Sequence, residues 1–89
     1  MTVIVVERVP PSLRGELTRW LIQPHTGIFV GKLSALVREK LWELICDKLG
    51  AGAALMLYAS DTEQGYTMLT YGKTGRQLRD FDGLLLSFV

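Results

Sequence analysis

At 89 residues, the chain is long enough for one domain and too short for two. A chain of this size buries only about 60–65% of its unfolded surface. Because 48% of the residues are hydrophobic, we expect the excess apolar surface to be buried in a dimer. The formal charge of +1 excludes nucleic-acid binding through bulk charge and leaves only the placement of individual arginines.

The single cysteine and the single histidine argue against a disulfide and a zinc site within one subunit. The single cysteine, Cys46, cannot form an internal disulfide, and its mid-helix position predicts an inert, packed side chain. The single histidine, His25, has no Cys/His cluster around it, which argues against a zinc site within one subunit. We expect His25 to be a solvated loop residue, with a phosphate contact as the alternative. With no signal peptide and no apolar run of about 18 residues, the sequence predicts a cytoplasmic protein without membrane contact.

The first predicted elements are a strand and a helix. The β-branched run from Thr2 to Val6 predicts a buried strand, and Pro10-Pro11 ends it. A helix is predicted from Pro11 to about Ile22. Gly15 costs this helix about 1 kcal/mol relative to alanine. We interpret Gly15 as a position that lets the helix pack tightly on the sheet. The alternative is that it lets another backbone or a phosphate come close. The predicted apolar stripe consists of Leu13, Leu17, Trp20 and Leu21.

The middle of the chain predicts a break, a short strand and a second helix. Pro24 to Gly27 is the break, and Ile28 to Val30 is the strand. The second helix begins at Ser34, a good N-cap, and ends at Gly50. Its acidic column could be a metal-binding row, but neighbouring lysines favour a solvated face. The acidic column consists of Glu39, Glu43 and Asp47. The apolar face of the same helix consists of Val37, Leu41, Leu44, Ile45 and Leu49, with Lys48 at its edge.

The last third predicts two paired strands, a basic loop and an apolar tail. The strands are Ala53 to Ala59 and Tyr66 to Tyr71, joined by a polar connection with Gly65 at positive φ. Lys73 and Arg76 lie in a glycine-flanked loop that lacks the P-loop pattern but suits a phosphate backbone. We therefore divide the chain into a domain at 1–77 and a C-terminal strand at 78–89. An unpaired apolar strand is expected to join another chain's sheet or a partner protein.

Five segments carry a resemblance to a known family. They are Glu7–Gly15, Trp20–Leu21, Gly27–Gly31, Val37–Glu39 with Trp42, and Asp80–Leu84. In this order and at this spacing, they resemble CRISPR-associated protein two of the type I-E branch, the small subunit of the spacer-acquisition complex. The resemblance implies an α+β, ferredoxin-like βαβ sandwich, with a mainly antiparallel sheet and two helices on one face. Because there is no room for a full hairpin between Val30 and Ser34, we expect this pattern to be incomplete in the monomer.

The resemblance also implies partners and binding residues. It implies a homodimer that bridges two dimers of the CRISPR integrase subunit and holds duplex prespacer DNA for insertion into the CRISPR array. Arg14 and Arg76 match the family's DNA-backbone arginines, and Arg38 and His25 match positions that are often basic in this branch. The C-terminal strand matches the segment that docks on the integrase subunit. Its expected partner-binding residues are Leu78, Asp80, Asp82, Leu84, Leu86 and Phe88.

Catalysis is the open part of the resemblance. The wider family is often described as Mg²⁺-dependent endonucleases acting on RNA or DNA, with an aspartate pair across the dimer axis as metal ligands. Glu7 occupies that position here. Since a hydrolytic Mg²⁺ site usually needs two or more acidic donors, Glu7 could serve only as a pair made by the dimer. We favour a structural Glu7, paired with Arg8 or a nearby arginine, in an architectural protein. A nuclease and an unrelated ferredoxin-like binding domain are the alternatives.

Overall fold

The computed structural model describes residues 1–72, which form one five-stranded sheet and two helices. In chain order the elements are β1 (Thr2–Glu7), α1 (Pro11–Trp20), β2 (Ile22–His25), β3 (Ile28–Gly31), α2 (Ala35–Lys48), β4 (Ala53–Ala59) and β5 (Tyr66–Tyr71). The strand order is β2-β3-β1-β4-β5, and every neighbouring pair is antiparallel. The arrangement is compatible with a ferredoxin-like fold and confirms the predicted α+β class.

Strand β1 is the centre of the sheet because its β-branched residues suit burial on both faces. It pairs with β3 on one side and with β4 on the other. Alternate residues point to opposite faces, so Ile4 and Val6 join the core beneath the helices. Both helices contribute to this one core, which confirms the prediction of two helices on one face. The buried members from the helices and the segments just after them are Leu13, Leu17, Leu21, Leu41, Ile45 and Leu49.

The opposite face of the sheet holds a second apolar cluster made of strand residues alone. Val3, Leu55 and Leu57 are its buried members. Partly buried side chains from β1, β3 and β5 pack against them, namely Val5, Ile28, Val30 and Tyr66. Met68 has the same orientation in β5 as Tyr66 and is 37% exposed. Neither of the helices in residues 1–72 contributes a side chain to this face.

Helix α2 follows the predicted pattern closely. The Ser34 hydroxyl oxygen accepts a hydrogen bond from the Val37 backbone N–H at 3.2 Å, which caps the first turn. Gly50 follows the C-cap residue Leu49 with φ of 63°, a left-handed conformation that glycine adopts without strain. The acidic column of Glu39, Glu43 and Asp47 is exposed, as predicted for a solvated face.

The β-hairpin of the ferredoxin-like pattern, for which no room was found between Val30 and Ser34, is formed earlier in the chain by β2 and β3. β2 begins at Ile22, where the helix was predicted to end, and it pairs with β3 through Ile22↔Val30 and His25↔Ile28. Pro24 was interpreted as part of a break, but β2 is an edge strand, where a residue without an N–H is tolerated. Gly27 closes the turn with φ of 78°. The prediction of an incomplete ferredoxin-like pattern was therefore wrong.

Helix α1 is shorter than predicted, and two of its residues are placed differently. Trp20, its last residue, is 52% exposed, because it lies in a surface groove with Met1, Ile22 and Lys32 rather than over the core. Gly15 has no neighbour that requires glycine: a Cβ built there meets nothing within 4 Å among the described residues. The interpretation of Gly15 as a tight helix–sheet contact was therefore wrong.

Cys46 also differs from the prediction of a packed side chain, since it is exposed on α2. Partial burial nevertheless raises the pKa of its thiol above the ordinary value, which lowers the reactive thiolate fraction at neutral pH. In the stretch from residue 1 to residue 72, no helix is long and apolar enough to span a bilayer. The predicted C-terminal strand and its boundary at residue 77 lie outside the described residues.

Candidate nucleic-acid interface

Strand β1 ends at a concave surface bordered by Glu7 and Arg8. Glu7 is exposed, and its backbone pairs with Ala53 at the start of β4. The surrounding cavity of about 570 Å³ is lined mainly by backbone and small residues from the α2–β4 connection and the end of β5. A Cβ on Gly52 would lie 2.4 Å from the Glu7 carbonyl oxygen, so this connection needs glycine to pack against β1. These contacts hold the backbone of Glu7 in a defined position.

Arg8 directly follows Glu7 in an unusual conformation. Its φ of 57° is the single positive value at a non-glycine position within residues 1–72. The sequence predicts an ion pair between Glu7 and Arg8 or a nearby arginine. Across the described part of the chain, however, the one ion pair joins Arg19 to Glu16 at 3.5 Å. The Glu7 carboxylate and the Arg8 guanidinium are therefore free of each other, and the predicted Glu7–Arg8 pair is absent.

Arg14 and His25, both predicted from the sequence as nucleic-acid contacts, lie on one concave surface. Arg14 comes from the first half of α1, and His25 is the last residue of β2. With Gln23, Pro24 and Thr26, they line a cavity of about 480 Å³. Both side chains are exposed. The surface therefore presents one permanent cation and one imidazole to solvent.

The antiparallel pairing brings both surfaces to the same end of the sheet. Glu7 pairs with Ala53, and Tyr71 pairs with Ala54, so the end of β5 lies beside the start of β4. The Val6 backbone N–H donates to the Gly27 carbonyl oxygen at 2.8 Å, which joins the β2–β3 turn to the end of β1. We call this the Glu7 end of the sheet. Gly72, which lines the same cavity as Glu7, is the last described residue.

Arg38 lies near the opposite end of the sheet. Its guanidinium carbon stacks 3.7 Å from the centre of the Tyr58 ring, a cation–π contact. Tyr58 pairs with Thr2, at the start of β1. At the usual strand rise, that position is roughly 17 Å from Glu7. Arg38 is therefore separated from the surface that holds Arg14 and His25.

The remaining predicted site residues lie outside the described part of the chain. These are the basic residues Lys73 and Arg76 and the partner-binding residues Leu78, Asp80, Asp82, Leu84, Leu86 and Phe88. Two features of the Glu7 end were not predicted as parts of the site. Arg8 was considered only as a partner for Glu7, and its positive φ has no signal in the sequence. The second is the hairpin that brings His25 to Arg14.

Residues 1–86 match the family model described as CRISPR-associated protein (Cas_Cas2CT1978). The chain belongs to this Cas2 family. The match covers nearly the whole sequence and confirms the family assignment made from the quoted segments. Membership supports a general role in a CRISPR system.

Residues 1–72 contain no cluster of metal-ligating side chains around Glu7. From residue 1 to residue 72, no three His, Cys, Asp or Glu side chains lie close enough together to hold an ion. Among the described residues, Glu7 is the one acidic side chain that lines the cavity at the end of β1. Since Mg²⁺ is usually bound through one or two carboxylates together with other oxygen ligands, this cavity of one chain supplies only part of such a site.

Proposed function

We propose that this Cas2-family chain acts as a homodimer that bridges integrase-subunit dimers and binds the backbone of duplex prespacer DNA during spacer acquisition. The main support is the concave surface on which α1 and the β2–β3 hairpin present Arg14 and His25 together. Phosphate contacts of this kind position a protein on a duplex without reading its sequence. Binding should therefore be independent of sequence and should weaken steeply as salt rises.

The position of the chain at Gly72 agrees with this proposal. Gly72 borders the cavity at the Glu7 end, and Lys73 is its covalent neighbour. The segment that carries Lys73 and Arg76 therefore starts at the same end of the sheet as Arg14 and His25. Arg38, at the other end, would contact a different part of a duplex.

The dimer is supported by the strand-only face. An apolar sheet face with no described helix over it is the kind of surface that a second sheet can cover. By strand alternation, Glu7 lies on the same side of β1 as Val3 and Val5. Docking on the integrase subunit is assigned to the segment from Leu78 onward, on the family resemblance.

The direct test is to replace Arg14 with alanine and measure binding to a fluorescently labelled duplex by anisotropy across a salt series. We expect weaker binding and a shallower dependence of log K on log[salt], by about 0.9 for each phosphate contact removed. Arg19→Ala is the matched control, because it removes the same charge from the same helix, at a side chain already paired with Glu16. Equal binding by the Arg14→Ala variant and the wild type would contradict the proposal. Arg76→Ala is expected to behave like Arg14→Ala.

A magnesium-dependent nuclease is the second candidate, favoured by the exposure of Glu7 and its place beside the strand-only face. This candidate requires that a dimer formed through that face bring the two Glu7 carboxylates within reach of one ion. The architectural proposal predicts that Glu7→Gln leaves duplex binding and spacer acquisition intact. The nuclease predicts instead that Glu7→Gln and a chelator each abolish cleavage by highly purified protein. Glu63→Gln, at another exposed carboxylate, is the control for loss of charge.

A further inference from the structure

Gly15 is a glycine that the fold of residues 1–72 does not need. It lies inside α1, is exposed, and is not among the glycines with positive φ. Other glycines of residues 1–72 have a clear reason: Gly50 and Gly65 have positive φ, and a Cβ would collide with the Leu21 side chain at Gly31 and with a backbone oxygen at Gly52. At Gly15, a Cβ would meet no described atom within 4 Å. Neither backbone conformation nor packing in residues 1–72 accounts for this glycine.

A glycine in an exposed helix interior lowers the stability of the helix relative to alanine. A destabilising residue without a role in the fold is typical of a functional surface, where stability is given up for access. What glycine uniquely provides there is a bare stretch of helix backbone. Another molecule can approach that stretch more closely than it could approach any side chain.

The charges around Gly15 favour an anionic molecule. Arg14 precedes it and lines the cavity with His25. Glu16 follows it, but the Glu16 carboxylate is paired with Arg19 at 3.5 Å. The Gly15 carbonyl oxygen accepts a hydrogen bond from the Thr18 hydroxyl at 3.0 Å, so this carbonyl is already satisfied. The surface next to the bare backbone therefore carries the positive charge of Arg14 beside an Arg19–Glu16 pair whose charges cancel.

We propose that Gly15 is a close-approach position for the DNA backbone, where the sugar-phosphate chain lies against α1 while the Arg14 guanidinium binds a phosphate. This inference rests on the proposed duplex binding and adds a steric requirement to it. A side chain at position 15 would hold the duplex away from the helix and lengthen the Arg14 contact.

The test compares Gly15→Ala and Gly15→Leu with wild type for thermal stability and for duplex binding by anisotropy at low salt. Gly15→Ala should raise Tm by about 4–8 °C, the shift expected for removing one helix glycine from a domain of this size. Both variants should bind more weakly, with Gly15→Leu weaker by about tenfold or more. Cys46→Ala is the control, because it also improves an exposed helix position, but on α2. It should leave duplex binding unchanged.

Arg14→Ala, measured in the same series, separates the two proposals. If Arg14→Ala weakens binding while both Gly15 variants bind like wild type, the close-approach inference is overturned and duplex binding stands. If Arg14→Ala also leaves duplex binding unchanged, the proposed function is wrong, and the close-approach inference that rests on it is wrong as well. Loss of the dimer by Gly15→Ala in sedimentation, with duplex affinity per dimer unchanged, would assign the bare backbone to a protein contact and overturn the inference as well.

Discussion

Replacing Phe29 with alanine is expected to lower the free energy of unfolding by about 3–5 kcal/mol. Phe29 lies in β3 directly opposite Ile4 and is fully buried in the core beneath the helices. Removing its ring would leave a cavity in the buried cluster that also contains Leu13 and Leu17. Because small domains are stable by only about 5–15 kcal/mol, the variant should be largely unfolded at modest denaturant concentrations. Urea unfolding followed by circular dichroism measures the loss.

Ile22→Ala is the matched control for this prediction. Ile22 lies on the neighbouring edge strand β2 and is 71% exposed. We expect its substitution to change stability by no more than about 0.5 kcal/mol, as at most surface positions. Both variants should be compared at one protein concentration, because dimerisation adds to apparent stability. A Phe29→Ala variant as stable as Ile22→Ala would mean that β3 is not packed as described.

Met68→Glu is expected to abolish the proposed homodimer without unfolding the monomer. Met68 belongs to the strand-only face and is 37% exposed, so a carboxylate there can stay in water while the chain is monomeric. In a sheet-to-sheet dimer the same carboxylate would be buried against apolar side chains without a partner. Burial of an unpaired charge opposes association strongly. Sedimentation velocity should show a monomer for Met68→Glu and a dimer for the wild type.

Leu36→Glu is the control for the dimer test. Leu36 is 62% exposed but lies on α2, on the opposite side of the molecule from the strand-only face. The Leu36→Glu variant should remain dimeric and bind duplex DNA like the wild type. Met68→Glu should also lose part of its duplex affinity, since a monomer offers half of the arginines. A Met68→Glu protein that stays dimeric would show that the subunits join through another surface.

Local sequence patterns were sufficient for most of the elements. The β-branched run of β1, the apolar run of β4 and the capped helix α2 were all predicted close to their observed bounds. Each has a signal that depends on a few neighbouring residues, such as the Ser34 cap. The β2–β3 hairpin was missed because Pro24 ends a helix and also fits an edge strand. Only the position of β2 at the edge of the sheet distinguishes these two possibilities.

For the candidate site as well, the sequence predicted the individual residues but not their arrangement in space. Arg14, His25 and Arg38 were predicted as nucleic-acid contacts on the family resemblance. Which of them lie on one surface was not predicted. The hairpin brings His25 to Arg14, while the antiparallel register places Tyr58, and Arg38 with it, at the far end of β1. Such distances follow from strand order and register, which join segments far apart in the chain.

By itself, the sequence determined the α+β class, the family and most helix and strand positions, and it predicted which residues bind a phosphate. The tertiary structure decided which of those residues share a surface, that Trp20 is exposed, and that no atom of residues 1–72 would contact a Cβ at Gly15. The physical reason is that propensity, capping and amphipathic period act over a few residues. Exposure and proximity depend instead on which distant segments pack together.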